Sequence, residues 1–578
     1  MFSRHYHSEL SFLREMVRVF AKAHPKTAGM LGERGGDPDI ERLLQAFSFL
    51  AARIRERLDD EVPEVIHELC GLVAPQYLRS IPACSVVEFS PLAAGERQSL
   101  SAGTELVAVP VENTSCRFRT TQPVDAHSLS VQEAILEGPQ SSKPLLRLSF
   151  LSTKAGIKDV FTEAGIRLFL HGEFAVATTL WLWFVRYCRD VTLRGHGGKG
   201  PELSLGHQVI RPVGFEPEDA LLPWPRQAPA SLRLLQEYFT LPQKFLFIDL
   251  KPLSQAREVA EERFELAFAF DRPLKLPGRI GADCFRLYCA PVINLFQASA
   301  DLVRSDLQGA EHLLRPAGVN ARHAEVYSVD AVTELSRGSS ERIVYSPFVG
   351  YEHLARPQAR QPFYRLRRER SPSDDGLDTY LALGAPREFA PSLGEGTLSV
   401  DLTCTNRALA GRLRTGEISV STKATPHRFT NLLPATKPVV PPMGDELHWR
   451  LLGNLAAGQH SFQDVESLRA LLSLHDFQGA ADSQAGSSRR LAEAIQSVEA
   501  RSVRRLVDEA ALCGAHVTVE IHEASFASRG ELVLFGFILD ELLASRVSLN
   551  SFTVLHMLLR PSGTEYLWSP RTGSHFML

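Results

Sequence analysis

A chain of 578 residues, 44% of them hydrophobic and 22% charged, is too long for one hydrophobic core and has the composition of a soluble globular protein of about three or four domains. Its formal net charge of −4 argues against a general nucleic-acid binder, which carries a clear basic excess. The longest apolar stretch, Phe174 to Val185 (FAVATTLWLWFV), is far short of the ~20 residues of a membrane-spanning helix, and MFSRHYHSEL shows no secretion signal, so a cytoplasmic location is expected.

The first eighty residues read as helical. Leu10, Leu13, Val17, Phe20 and Ala21 recur at the spacing of one helix face up to Pro25. A stronger helix is predicted from Asp37, a capping residue followed by Pro38, with Asp39 and Glu41 against the positive helix end. Its stripe is Ile40, Leu43, Leu44, Phe47, Leu50, Ile54 and Leu58, and a third helix follows from Pro63 to Leu72. Burying one large aliphatic side chain contributes ~1.5–3 kcal/mol, so these stripes must pack on one another, on the next domain or on another protein. Leu13, Val17, Phe20, Leu43, Phe47 and Ile54 are therefore candidate partner-interface residues.

From Ser85 the hydrophobic period becomes two, and strands are predicted at 85–89, 104–110, 145–151, 166–170, 179–185 and 207–215, separated by Gly and Pro clusters such as GHGGKGP at 195–201. A β-rich, sandwich-like domain fits, ending near LLQEYFTLPQKFLFIDL (234–250). There a helical turn carrying Leu235, Tyr238 and Phe239 must break at Pro242, which cannot supply a helix-interior donor. Phe245 to Leu250 then reads as a short strand covered on both faces. With Glu237 and Asp249 as its only acids, the segment is core material. Further strands are expected at 263–270, 284–292 and 397–403, and linkers at 434–442 (PATKPVVPP) and 479–488 (GAADSQAGSS). The C-terminal part mixes helices at 464–475, 488–511 and 531–543 with a strand at 516–521 and a hairpin of 551–560 and 565–570. The expected fold is α+β multidomain: an N-terminal helical segment (1–80), β-rich, sandwich-like central domains (81–260 and 261–395) and a mixed α/β C-terminal domain (396–578).

Chemistry is scarce. The eight cysteines, at 70, 84, 116, 188, 284, 289, 404 and 513, include no CxxC pair and read as free buried thiols of a reducing compartment. No phosphate-cradling loop, HExxH, EF-hand loop or GxSxG elbow occurs. His5 and His7, His171-Gly172-Glu173 and His522-Glu523 each lack further ligands at workable spacing. The carboxylate groups at 59–61, 216–219, 261–262 and 374–375 fall in segments that look exposed, where solvation is the simpler reading. No catalytic residue, metal or cofactor is expected. Between Arg356 and Arg370 six arginines surround Phe363 and Tyr364. A solvated face is the first reading, a protein contact the second and nucleic acid the least favoured in a mildly acidic chain. Because arginine is enriched at protein interfaces, Arg365, Arg367 and Arg368 join the candidate interface residues.

Apolar stripes on several domains without a reaction centre describe an assembly component. Two other readings stay open. One is a β-sandwich ligand-binding module with Trp181 and Trp183 lining a groove; the other is an envelope-polymer hydrolase using acids from distant segments.

Several segments resemble, in order, the TssF (VasA/ImpG) family of type VI secretion baseplate subunits. HYHSELSFLRE (5–15) and DPDIERLLQAFSFLAARIRERLDDEVPE (37–64) are similar to its opening helices, and PQYLRSIPACSVVEF (75–89) and CRFRTTQPV (116–124) to its entry into the β body. RPVGF (211–215), LLQEYFTLPQKFLFIDL, CFRLYCAPVINLFQ (284–297) and CTNRALAGRL (404–413) resemble further signature segments, although the family more often has proline near Ala410. HWRLLGNLAAG (448–458), SLRALLSLHDF (467–477), 529–557 and WSPRTGSHF (568–576) continue the match. The resemblance implies a non-catalytic wedge subunit, two copies of which join one TssG, with TssK trimers and TssE attached. Six wedges would surround the VgrG spike hub beneath tube and contractile sheath, docked at the cytoplasmic side of a membrane complex. It carries over no catalytic, cofactor or metal residue.

Overall fold

The computed structural model describes residues 6, 10, 13, 16, 42, 43, 45–51, 70 and 71 and, from 74 to 573, all but 91–97, 153–159, 162–164, 196–201, 226–227, 257–260, 305–310, 336–341, 349–361, 373, 375, 385–395, 422–427, 442–448, 452, 454–463, 478–486, 508–509 and 549. The chain divides into two compact units, Met1–Pro75 with Met443–Gly453, and Gln76–Pro442 with Asn454–Leu578. In the first, the described positions between 42 and 51 are helical, as is Cys70–Gly71.

The second unit is built on curled sheets, mostly antiparallel, as the alternating sequence requires. One sheet has the order Phe429–Asn431, Cys84–Phe89, Cys289–Ile293, Thr114–Thr120, Glu105–Val111. Another runs Leu203–Ser204, Cys188–Gly195, Arg263–Phe270, Leu145–Ser152, Leu129–Glu137. A four-stranded sheet of Ile210–Val213, Phe247–Leu250, Ile166–Leu170 and Phe285–Arg286 carries the core strand of the 234–250 segment. A larger sheet centred on Thr397–Thr405 and Glu325–Leu335 continues through Arg342–Pro347, Phe363–Arg370 and Leu377–Gly384 around its own core of Val332, Tyr345, Leu381, Val400 and Leu402. In the C-terminal sheet, Ala510–His522 pairs antiparallel with Ile495–Val507 and parallel with Ser551–Arg560. A parallel pair needs a crossover, and the helix Arg529–Ala544 supplies it.

Two signature segments are joined by a reciprocal amide contact. Asn294 donates to Asn406 Oδ1 at 2.8 Å and to the Arg117 carbonyl at 2.7 Å, while Asn406 N–H donates back to Asn294 Oδ1 at 2.7 Å. Both side chains are buried. The pair therefore fastens the sheet of Thr114–Thr120 to the strand Thr397–Thr405, where Asn294-Leu295-Phe296 and Cys404-Thr405-Asn406 meet.

The helix Ala230–Thr240 lies at the centre. Every side chain from Ser231 to Thr240 is buried, and Tyr238 packs on Phe535 of the crossover helix with ring centroids 5.8 Å apart. Glu237 and Lys244 are fully buried and form an ion pair. Glu237 Oε1 also accepts from the N–H groups of Leu221 and Leu222 at 2.7 and 2.9 Å, and Lys244 Nζ donates to the Asp219 carbonyl at 3.2 Å. Burial pulls the Lys244 pKa down while Glu237 opposes it. Asp249, the other acid of the segment, is held in a two-pronged contact by Arg167 at 2.6 and 3.0 Å. Burial works against its charge, but Arg167 and Lys251 keep the carboxyl below the usual range. Gly214 of RPVGF sits at φ +111°, where only glycine is at ease, and an added Cβ would touch the Lys244 carbonyl at 3.0 Å.

The crossover helix is capped by Ser528, which accepts from Glu531 N–H at 3.1 Å, as its S-x-x-E sequence dictates. At its start Gly530 permits backbone contact with Phe174–Leu182; a Cβ there would lie 1.9 Å from the Thr178 carbonyl.

Four expectations are corrected. Residues 179–185 belong not to a strand but to the helix Phe174–Leu182 and a wider turn at Trp183–Tyr187. A helix buried all round shows no amphipathic period, and its alternating large residues mimic a strand. The helix expected over 488–511 stops at Ala494, and Ile495–Val507 is a strand, because tertiary pairing with Ala510–His522 overrides its helix-prone Arg, Glu and Ala. Cys284–Val292 is two strands, Phe285–Arg286 and Cys289–Ile293, interrupted by Tyr288 at φ +56°; the Tyr288 hydroxyl is held by Leu129 N–H and carbonyl, both at 2.9 Å. Pro434–Pro442 is no free linker, since Ile81 and Val439 exchange backbone hydrogen bonds of 2.8 and 2.9 Å and Thr436 N–H reaches the Cys84 carbonyl at 2.8 Å. The linker at 479–488 lies outside the described residues except for Ser487 and Ser488, which open the helix Ser487–Ala494. All eight cysteines are free thiols, buried except Cys513.

Lys244→Met should destabilise the protein by ~3–5 kcal/mol in urea unfolding, because it strands a buried carboxylate. The double variant Glu237→Gln, Lys244→Met should lose clearly less, since glutamine still accepts from Leu221 and Leu222. A second expectation concerns His475, buried against Tyr77 with ring centroids 5.4 Å apart and bonded through Nδ1 to the Leu471 carbonyl at 3.0 Å. Burial lowers its pKa from 6.5 to about 4. The unfolded chain therefore binds a proton that the folded chain refuses. This contribution is complete above pH ~6.5 and is lost as pH falls toward 4, by roughly 3 kcal/mol. His475→Phe should remove that component from the unfolding curve measured across this window.

Candidate partner interface

The helix positions 42–51 turn apolar residues outward. Leu43, Phe47 and Leu50, spaced i, i+4, i+7, are 63, 66 and 56% exposed, while Ser48, directed away from them, is buried. A stripe of this kind loses the hydrophobic contribution of each side chain until something covers it. Leu13 is half-buried in its helical position. Val17, Phe20 and Ile54 lie outside the described residues, as do His5, His7 and the carboxylates at 59–61. Trp449, in the same unit, is also exposed.

The arginines divide by direction. Strand Phe363–Arg370 pairs with Leu377–Gly384 over eight positions, which alternates its side chains between faces. Arg365 is exposed. Arg367 bonds Glu311 through Nε at 2.9 Å, pairs with Glu369 and stacks 4.8 Å from the Tyr380 ring centroid. The Arg367 hydrogen bond holds the Glu311 carboxyl below the usual range. Arg368 turns inward and donates to the carbonyls of Leu78 and Tyr327, both at 3.0 Å. Burial, helped by Arg79, pushes its guanidinium down to about 10. Arg368 therefore fastens the sheet to the chain's own body, whereas Arg365 and Arg367 line its surface.

The sequence missed one more surface. Leu335 and Val344 are exposed on the outward face of the large sheet, where Thr333 stands opposite Val344 and Leu335 opposite Arg342. The signal was available in the alternation of Glu325–Leu335, whose other face carries buried Val332 and Glu334. Trp181 and Trp183, by contrast, are buried and line no groove. Asp374 is paired with Arg407 and Asp219 accepts from Gly214 N–H at 2.8 Å, both as structural contacts. Among the described residues no group of three or more His, Cys, Asp or Glu is placed to hold a metal, and no described helix is long and apolar enough to cross a membrane.

An uncovered apolar helix surface in the first unit and charges consumed by internal contacts in the second fit a subunit of a larger assembly. The chain belongs to the type VI secretion system TssF family, which it matches over residues 1–575. It is 28% identical over 617 aligned positions to the type VI secretion system component TssF1 of Pseudomonas aeruginosa strain PAO1, covering 99% of this chain and 98% of that protein. It resembles a chain in the cryo-electron-microscopy structure of the type VI secretion TssK–TssF–TssG baseplate subcomplex, with TM-score 0.77 and 29% identity over 92% of this chain and 99% of that one. A chain of a type VI baseplate complex matches with TM-score 0.67 and 26% identity over the whole of both.

Arg368→Ala should cost ~1–3 kcal/mol by leaving the Leu78 and Tyr327 carbonyls without their donor. Arg365→Ala should stay within about 0.5 kcal/mol of the parent. Urea unfolding midpoints of the two variants distinguish the inward arginine from the outward one.

Proposed function

We propose that this chain is a structural subunit of the type VI secretion baseplate, joined with TssG- and TssK-type partners and carrying out no catalysis. The observation that carries this reading is the near full-length likeness to a chain of the TssK–TssF–TssG subcomplex. The fold is consistent with it: buried charges are consumed by internal contacts, and the largest uncovered apolar side chains include Leu43, Phe47 and Leu50. In this reading two copies join one TssG-type subunit to form a wedge, TssE attaches to it, and wedges surround the VgrG spike hub. The assembled baseplate adjoins the sheath and docks against the membrane complex from the cytoplasm. The groove-binding alternative loses its motive, because Trp181 and Trp183 are packed inside the protein.

The helical stripe is assigned to the TssG-type partner. Burying Leu43 and Phe47 contributes about 3–6 kcal/mol in total, so Leu43→Ser with Phe47→Ser should weaken capture of a co-expressed TssG-type partner by at least about 100-fold. The unfolding midpoint of the isolated chain should hardly move, because both side chains are exposed in it. Particle mass measurement of the parent complex should give two copies of this chain per partner. A normal complex from the double variant would remove the stripe from the interface, and a different mass ratio would remove the two-copy wedge.

A further inference from the structure

The strand Ile495–Val507 closes one side of the C-terminal sheet, with Ala510–His522 on its inner side and no described strand beyond it. At 13 residues it is the longest sheet-ending strand among the described residues. Its beginning is anchored: Ile495 and Val498 are buried, and Arg469 donates to the Ile495 carbonyl at 2.7 Å. From Glu499 to Arg505 the side chains are exposed apart from half-buried Val503. Every second residue of an edge strand turns its N–H and C=O outward, a ready template for another strand.

The edge is basic. Arg501 stands opposite His516, Arg505 opposite Leu512 and Arg504 opposite Cys513, so Arg501 and Arg505 share one face and Arg504 takes the other. Arg501 touches Glu499 at 3.0 Å, both well exposed, and neither Arg504 nor Arg505 has an ion-pair partner among the described residues. On the face shared with Arg501, the His516 ring lies 5.6 Å from His556. Burial lowers the His516 pKa, and His556, Arg501 and Arg505 lower it further. Charged side chains along an edge commonly serve only to prevent aggregation. Here they also make self-pairing unfavourable, because two copies of this edge would set arginines against arginines.

We propose that residues 499–505 form a docking edge for an extended acidic segment of a partner protein, added as a further antiparallel or parallel strand. Backbone hydrogen bonds supply the attachment, and carboxylates at every second position of the incoming segment share one face and meet Arg501 and Arg505 there. This proposal is independent of the baseplate reading.

The test uses the purified full chain and fluorescein-labelled peptides of six Glu-Val repeats, six Lys-Val repeats, and the Glu-Val peptide with alternate amides N-methylated. Fluorescence anisotropy should show binding of the Glu-Val peptide, none of the Lys-Val peptide, and about tenfold weaker binding of the methylated one. R501E/R504E/R505E should weaken Glu-Val binding by about tenfold or more, with an unchanged melting midpoint; R501Q/R505Q serves if the triple variant does not fold. Equal binding of the methylated peptide would reduce the edge to a patch of charge and overturn the proposal. So would the absence of Glu-Val binding, undiminished binding by the arginine variants, or occupation of the edge by a second copy of the chain.

Discussion

The ion pair of Glu237 and Lys244 is the constraint around which the second unit is arranged. Two full charges with no solvent exposure persist only where each remaining polar site is also bonded. Leu221, Leu222 and Asp219 must therefore lie where their backbone groups reach the pair. That requirement fixes the loop before the helix Ala230–Thr240, and Arg233 reinforces it by donating to the carbonyls of Phe215, Glu216 and Pro217 at 3.1–3.3 Å. The helix in turn meets Phe535 through Tyr238, whose hydroxyl lies 3.5 Å from Glu531 near the cap of the crossover helix. A chain of polar and aromatic contacts thus runs from the middle of the sequence to the C-terminal sheet.

A body fixed in this way differs from the surfaces left over. Arg368, Arg407 and Asp249 are absorbed by internal partners, and Asn294 and Asn406 satisfy one another. Among the described residues the outward surfaces include an apolar one on the helix around Phe47 and a basic one on the edge around Arg501. The first calls for desolvation by a complementary apolar surface, the second for charge and backbone pairing. Surfaces of such different character would suit different neighbours, held by different physics.

Much of this architecture was legible in the sequence. Period-two strands such as Leu145–Ser152, Ile166–Leu170 and Arg263–Phe270 stand where alternation put them, and the helix expected over 531–543 is found at Arg529–Ala544, capped by Ser528. Asp464 likewise caps Val465–His475, accepting from Ser467 N–H at 2.8 Å. The failures have physical reasons. Phe174–Leu182 is covered on all sides, which erases the one-sided pattern that identifies a helix. Ile495–Val507 has helix-prone residues but a partner strand that decides otherwise. The pairing of Lys244 was not legible, because its acid lies seven residues back across the break at Pro242 and no periodicity joins them. The outward stripe at Leu43, Phe47 and Leu50 was visible as a stripe; which side of it faced solvent depended on tertiary structure.

The placing of Cys84–Phe89 has a consequence for biosynthesis. This strand is flanked by Cys289–Ile293 on one side and Phe429–Asn431 on the other, so its neighbours are made some 200 and 340 residues after it. A ribosome adding ~5–20 residues per second leaves that greasy ribbon waiting for tens of seconds before both flanks exist. Closure of so distant a loop is slow as well. Newly made chains consequently pass through a period in which an early hydrophobic strand has nothing to zip against, and shielding by a holding chaperone during translation is the natural remedy.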